Sequence, residues 1–374
     1  MHDFVLKEII NTDISNELQA IGFDKSYIHK ACDKFAYKNI KLFNLTVAQA
    51  NILKQTALSV GADCATHRET ITGKIDKTDC ILGGSIAQLE KIADKLVGQP
   101  FGLKELGTKI KNIHAYKKNK TQIVGILNLT TNSFSDGGRY YNTEAAIKHL
   151  EELIEDGADI IDIGAESTKP GAFPVPAEEQ LEKIVPILNY LGDRPIIVSI
   201  DTRSSVVAEE CLKLGVEIIN DVSGFDYDPK MPEIVAKYGA KIIIQHSQGS
   251  PENMQDNPHY SNLMDEIYLG LKSKVEFAVS RGVKKENIII DPGIGFGKTR
   301  KDNFEIIHRF EELYGLACPV MLGVSRKSLL SMPNEDNFTK DIFTVVLNTL
   351  VVNKNVDYIR VHNVKLHSQL LELL

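Results

Sequence analysis

Eight short runs of β-branched residues recur along the last two thirds of the chain. No other feature restricts the fold as much. The runs are QIVGILNLT (122–130), DIIDIGA (159–165), PIIVSIDT (195–202), EIINDVS (217–223), KIIIQH (241–246), NIIIDPG (287–293), PVMLGVS (319–325) and YIRVHNV (358–364). Near-continuous Ile/Val runs suit strands covered on both faces, as in a parallel sheet. Helix-like stretches lie between them: 143–156, with Thr143 placed to cap it and Gly157 to end it, then 177–191, 203–214, 261–281 and 301–314. This repeat predicts a (β/α)8 TIM barrel over residues 121–374. A doubly wound open sheet is the alternative, but the even spacing lacks the topological break such a sheet needs.

The full 374 residues suggest two domains at about 150 residues each. Residues 1–120 carry 18 Lys+Arg against 13 Asp+Glu, and residues 121–374 carry 25 against 37. The junction Lys117-Lys118-Asn119-Lys120 is basic and polar, so the boundary is expected at 120/121. The first segment reads as a smaller mixed α/β domain with a helix near 46–60, a strand near 78–83 and a helix near 85–97. Cys64 and His67 lack further ligand-type neighbours, so no metal site is expected there. A net charge of −7 excludes a generically basic nucleic-acid binder. The five cysteines are scattered, as in a reducing compartment. The N-terminus lacks a signal-peptide pattern, and apolar runs fall far short of the ~20 residues a membrane span needs. A cytoplasmic protein without membrane attachment is expected.

Nearly every predicted strand ends in a polar residue: Asn128, Asp162 with Glu166, Asp201, Asn220, His246, Asp291, Ser325, and Arg360 with His362. The C-terminal strand ends of a barrel form its active-site face. Partly buried polar groups cost free energy unless paired, so this many converging on one mouth predict a site. Asn128 offers an oxygen to a hard cation such as Mg2+. Asp201, Asn220 and Asp291 suit a flat heterocycle with amidine-like N–H donors, because a carboxylate accepts two parallel N–H bonds. Taken singly, Asp201 could instead cap the helix after it, and Asp291 could serve an Asp-Pro-Gly turn. The tract GIGFGKT (293–299) lacks the spacing of a nucleotide phosphate loop. Arg360 and His362, two apart on one strand face, join the Ser325-Arg326-Lys327-Ser328 tract as an anion clamp.

These tracts, in this order, resemble dihydropteroate synthase. The resemblance covers about residues 121–374 and rests on GILNLTTNSFSDGG, GADIIDIGAESTKPGA, IDTR, INDVSG, QHSQGSPENMQ, DPGIGFGKT, GVSRKS and RVHNV. It implies condensation of a dihydropterin-methyl diphosphate with 4-aminobenzoate, releasing diphosphate, in folate biosynthesis, a step targeted by sulfonamides. It also implies that Asp201, Asn220, Asp291 and Lys327 hold the pterin. Asn128, Arg360 and His362 would hold the diphosphate and its Mg2+. Phe134, Thr168, Pro170, Phe296 and Ser328 would shape the aminobenzoate site, and loops carrying Asp136 and Thr168 would exclude water. Lys327, Asp291, Asp136 and Thr168 are the residues expected to carry catalysis.

Several positions depart from the family pattern. Thr131-Asn132 stands for Pro-Asp, Lys169 for Arg, Gln245 for Met and Asn363 for Asp. Two other functions remain open: a pterin-barrel methyltransferase acting on methyl-tetrahydrofolate, which needs no diphosphate clamp, and a non-catalytic pterin-binding protein. A homodimer is the expected assembly.

Overall fold

In the computed structural model the chain divides into two units, Met1–Ala115 and Tyr116–Leu374. The structure describes residues 6–7, 9, 14–113, 116–130, 143–167, 174–249, 257–327 and 336–374. The first unit contains helices α1 (Ile14–Ala20) and α2 (Ile28–Phe35), then β1 (Tyr37–Thr46), α3 (Val47–Leu58), β2 (Asp63–Thr66), β3 (Lys77–Ser85), α4 (Ile86–Leu96) and α5 (Leu103–Asn112). The strands form an antiparallel sheet in the order β1-β3-β2. Its inner face buries Ile40, Leu42, Cys64, Cys80 and Leu82 against Leu53, Leu89, Ile92 and Leu96 of the helices. Thr46 and Ser85 each close a capping box, with Gln49 and Gln88 as the reciprocal partners. The two helices and the strand expected here are present, and α1, α2, β1, β2 and α5 are additional. The His67 ring accepts the Glu69 N–H.

In the second unit all eight predicted runs form strands: β4 (Gln122–Asn128), β5 (Ile160–Gly164), β6 (Ile197–Asp201), β7 (Ile218–Asp221), β8 (Lys241–Gln245), β9 (Ile288–Asp291), β10 (Met321–Leu322) and β11 (Tyr358–Val361). A helix follows each: α6 (Thr143–Glu155), α7 (Ala177–Leu191), α8 (Ser205–Lys213), α9 (Met231–Tyr238), α10 (Leu263–Ser280), α11 (Arg300–Arg309), α12 (Asn337–Val352) and α13 (Val364–Leu373). The sheet runs β10-β11-β4-β5-β6-β7-β8-β9 with parallel pairing throughout. One parallel bridge, Ile290 to Val320, joins β9 to the residue just before β10 and closes the ring. This is the barrel expected from the sequence, not the open sheet.

Parity along the strands sorts the residues. Val124, Ile160, Ile218, Ile243, Ile289, Met321 and Tyr358 form one buried cluster inside the barrel. Their odd-step neighbours, such as Ile123, Ile161, Ile219, Ile242 and Ile359, pack under the helices in the main core. Counting two residues on from the interior layer brings Asp162, Asn220, Gln245, Asp291 and Arg360 to the mouth.

The second unit begins slightly ahead of the expected boundary because its first residues strap the starts of the strands. The Tyr116 hydroxyl donates to Asp357 at 2.8 Å, and its ring stacks on Tyr314 at 5.1 Å. Lys118 Nζ donates to the Lys354 carbonyl at 2.7 Å, and Thr121 Oγ1 to the Val356 carbonyl at 2.6 Å.

Candidate active site

The mouth is built around a partly buried guanidinium. Arg360 Nε donates to Asp162 Oδ2 at 2.6 Å, and its NH2 group donates to Asp201 Oδ2 at 2.7 Å. Asn220 Nδ2 donates to the same Asp162 oxygen at 3.0 Å. Asp201 therefore does not cap the following helix. Ser204 does that, accepting the Val207 N–H. Burial raises the Asp201 pKa to about 7, with Arg360 pulling the other way and the Asp162 and Glu166 carboxylates adding to the rise.

Across the mouth, Asp291 is also buried, and burial raises its pKa against the pull of Lys327. Its Oδ1 accepts the Gly293 N–H at 2.7 Å, so the turn role and a site role coexist. Gly293 has a φ of +69°, and a Cβ there would lie 1.9 Å from the His246 carbonyl oxygen. Only glycine fits this close approach. Lys327 donates to the Ile294 carbonyl oxygen and holds its ammonium 4.8 Å from the centre of the Phe296 ring. Burial lowers its pKa to about 8 while Asp291 holds it up.

Among the described residues, three buried polar atoms on inward-facing positions have no hydrogen-bond partner: Asp162 Oδ1, Asn220 Oδ1 and Ser199 Oγ. Leaving such atoms unpaired costs about 1–3 kcal/mol each. Two of the three can only accept, so the mouth is built for a molecule rich in N–H donors.

The surrounding shell holds these groups in place. Arg203 grips Glu166 with two bonds of 3.1 and 2.9 Å, and its guanidinium lies 4.5 Å from the Tyr227 ring centre. Glu166 Oε1 also accepts the Val175 N–H at 3.1 Å, so one carboxylate fastens both described ends of the loop between β5 and α7. Lys298, almost fully buried, donates to the carbonyls of Phe296 (2.9 Å) and His246 (3.2 Å) and contacts His246 Nδ1 at 3.2 Å. Gln245 donates to the Val222 carbonyl at 3.1 Å, which accounts for a buried amide at that position. Asn363 caps α13 and donates to Asp341 at 3.3 Å, a carboxylate already gripped twice by Arg326. An Asp at 363 would set two carboxylates against each other.

The structure thus brings together Asp201, Asn220, Asp291, Lys327 and Arg360 of the expected site, with Phe296 against Lys327. Asn128 ends β4, and His362 follows β11 beside Ser325 at 2.9 Å. Phe134, Asp136, Thr168, Pro170 and Ser328, with Asn132 and Lys169, lie outside the described residues. Asp162 is the site residue that the sequence reading named as a strand end but gave no role. Its parity with Ile160 inside the barrel is the signal that places it in the mouth.

A parallel barrel with buried acids, an amide and two cations at its mouth defines a site for a flat, N–H-rich ring with an anionic substituent. Residues 124–362 match the family model described as "Pterin binding enzyme". The chain belongs to this family, and its relatives over the barrel are dihydropteroate synthases. The dihydropteroate synthase of Clostridium beijerinckii is 41% identical over 265 residues, which are 70% of this chain and 94% of that protein. A probable bifunctional folylpolyglutamate synthase/dihydropteroate synthase of Haloferax volcanii is 33% identical over 341 residues, covering 84% of this chain. This chain spans 40% of the length of that relative. The crystal structure of dihydropteroate synthase from Anaplasma phagocytophilum with bound 6-hydroxymethylpterin-monophosphate superposes with a TM-score of 0.61 at 41% identity, over 68% of this chain and 99% of that one.

Proposed function

We propose that the protein is a dihydropteroate synthase, joining (7,8-dihydropterin-6-yl)methyl diphosphate to 4-aminobenzoate with release of diphosphate. The observation that carries this reading is the unpaired Asp162 and Asn220 oxygens beside the Asp201–Arg360 pair. A pterin edge presents parallel N–H donors, as a guanidinium does, and these carboxylates already hold a guanidinium. The ring would take over Asp162 and Asp201, leaving Arg360 to turn toward the diphosphate with His362.

The chemistry follows from charge. As the methylene C–O bond breaks, positive charge develops on the ring and negative charge on the leaving diphosphate. Asp291 and Asp201 stabilise the first, and Arg360 the second. Lys327, held between Asp291 and Phe296, positions the ring. The neutral aniline nitrogen attacks the methylene carbon and then loses its proton, so no strong base is needed. Phe296 would meet the aminobenzoate together with Phe134, Thr168, Pro170 and Ser328, while the tracts carrying Asp136 and Thr168 keep water from capturing the cation.

Mg2+ fits the donor set. Mg2+ is held by one or two protein oxygens plus substrate phosphates and water. The described residues contain no three-residue cluster of metal-binding side chains, and the Asn128 amide at the β4 end supplies a single oxygen of the right kind. When bound, the ion would neutralise diphosphate charge. Among the described residues no helix is long and apolar enough to cross a membrane.

The test is a diphosphate-release assay with both substrates. Release that depends on 4-aminobenzoate supports the synthase. Binding of the pterin without any product favours a non-catalytic binder instead. Activity should also be bell-shaped in pH. Asp201 must lose its proton to accept the ring, so kcat/KM rises as pH approaches about 7. Lys327 loses its charge above about 8, so kcat/KM falls beyond that. A flat profile from pH 6 to 9 would rule out both roles.

The homodimer has a candidate face on α12. Phe338, Ile342, Val346 and Leu350 recur every fourth residue and are 61%, 43%, 59% and 43% exposed. An apolar stripe of this kind favours burial against a second copy. Sedimentation should give twice the chain mass, and Val346→Asp should give the monomer. A monomeric parent chain would defeat the assignment.

A further inference from the structure

Ser325 sits in the loop after β10 and is buried. Its Oγ lies 3.1 Å from the His362 backbone nitrogen and 2.9 Å from His362 Nδ1. The backbone N–H can only donate, so the serine oxygen is the acceptor there. The hydroxyl proton must then find an acceptor of its own. Among the described residues, Nδ1 is the only acceptor within reach. If Nδ1 carried the proton, two N–H groups would crowd one oxygen, and a buried hydroxyl hydrogen would be left unpaired.

The ring is also kept from taking a second proton. Burial, with the nearby positive charges of Arg326 and Arg360, holds its pKa down to about 3. Nε2 has no hydrogen-bond partner among the described residues. We propose that Ser325 is a positioning residue that fixes His362 as the neutral Nε2–H tautomer, so that the ring offers an N–H donor to the anionic tail of the substrate. This rests on reading Arg360 and His362 as the diphosphate end. A neutral donor beside Arg360 avoids a second cation in the partly buried mouth when the site holds no anion. In the opposite tautomer a lone pair would face the phosphate oxygen.

The experiment is long-range 1H–15N spectroscopy on the full histidine-labelled chain, with the His362 signals assigned by their loss in His362→Gln. At pH 7 the unsubstituted chain should show Nε2 protonated and Nδ1 as an acceptor. Ser325→Ala should give a mixture of tautomers. It should also raise KM for the pterin diphosphate about tenfold, the scale of one lost charge-assisted hydrogen bond, with kcat changed much less. Ser325→Thr keeps the hydroxyl and should restore both readouts. An imidazolium or Nδ1–H ring in the unsubstituted chain overturns the proposal even if Ser325→Ala fails to fold. So does an unmoved tautomer ratio, or an unchanged KM, in Ser325→Ala. A chain without synthase activity would defeat the functional reading but leave the spectroscopic result standing on its own.

Discussion

Lys327→Ala should lower kcat/KM by about three orders of magnitude, the scale of removing a preorganised electrostatic group from a water-poor site. The ammonium is partly buried, with the Ile294 carbonyl on one side, the Phe296 ring on another and Asp291 supplying the opposing charge. Alanine removes the cation and the stem that packs on the ring. The fold should persist, because Asp291 keeps its bond from Gly293 and still has the opposing charges of Arg360 and Lys298. Steady-state kinetics beside thermal melts would separate the two effects. Near-normal turnover would end the case for Lys327.

Arg360→Ala should be the most destabilising single change in the mouth. It strips the guanidinium from Asp162 and Asp201 and leaves two buried carboxylates facing each other. Removing one partner of a buried ionic network typically costs about 3–5 kcal/mol. The loss should depend on pH with a definite sign. The folded pKa of Asp201 is raised to about 7 even with Arg360 present, because burial outweighs the pull of the cation. A carboxyl with a raised folded pKa binds protons more tightly when folded than when unfolded, so stability falls as pH climbs from about 4 towards that value. Without Arg360 the folded pKa rises further, and the deficit widens above neutrality. Urea unfolding at pH 5 and pH 8 tests this. Equal losses at the two pH values would mean that the carboxylates do not carry the cost.

The barrel was readable because its strands are short, apolar and evenly spaced, so periodicity and turn residues marked them without tertiary information. The mouth was readable for a related reason: polar residues at the ends of apolar strands stand out. Other parts were hidden. Asp162 lies inside an apolar run, and its role appears only when strand parity puts it beneath Arg360. The Glu166–Arg203 clamp spans 37 residues and depends on two loops meeting above neighbouring strands. Strand β1 was missed because its alternation breaks: the pairing register shifts between Leu42 and Leu45, and Asn44 takes a positive φ of 61°. The strap from Tyr116 to Thr121 looked like a linker because nothing in its composition betrays the buried Asp357 that it grips.

Strand β10 is only two residues long, and β9 meets this side of the ring through a single bridge to Val320, just before it. The cylinder therefore has a seam, and the seam runs between the acid at 291 and the lysine at 327. Every other pair of neighbouring strands is joined by a ladder of two to five residue pairs. Here the crossing is made by the Ile290 N–H bond to the Pro319 carbonyl at 2.9 Å and by the lysine's own bond to the Ile294 carbonyl. The least laced part of the cylinder is thus the part that carries the acid and the lysine of the grip.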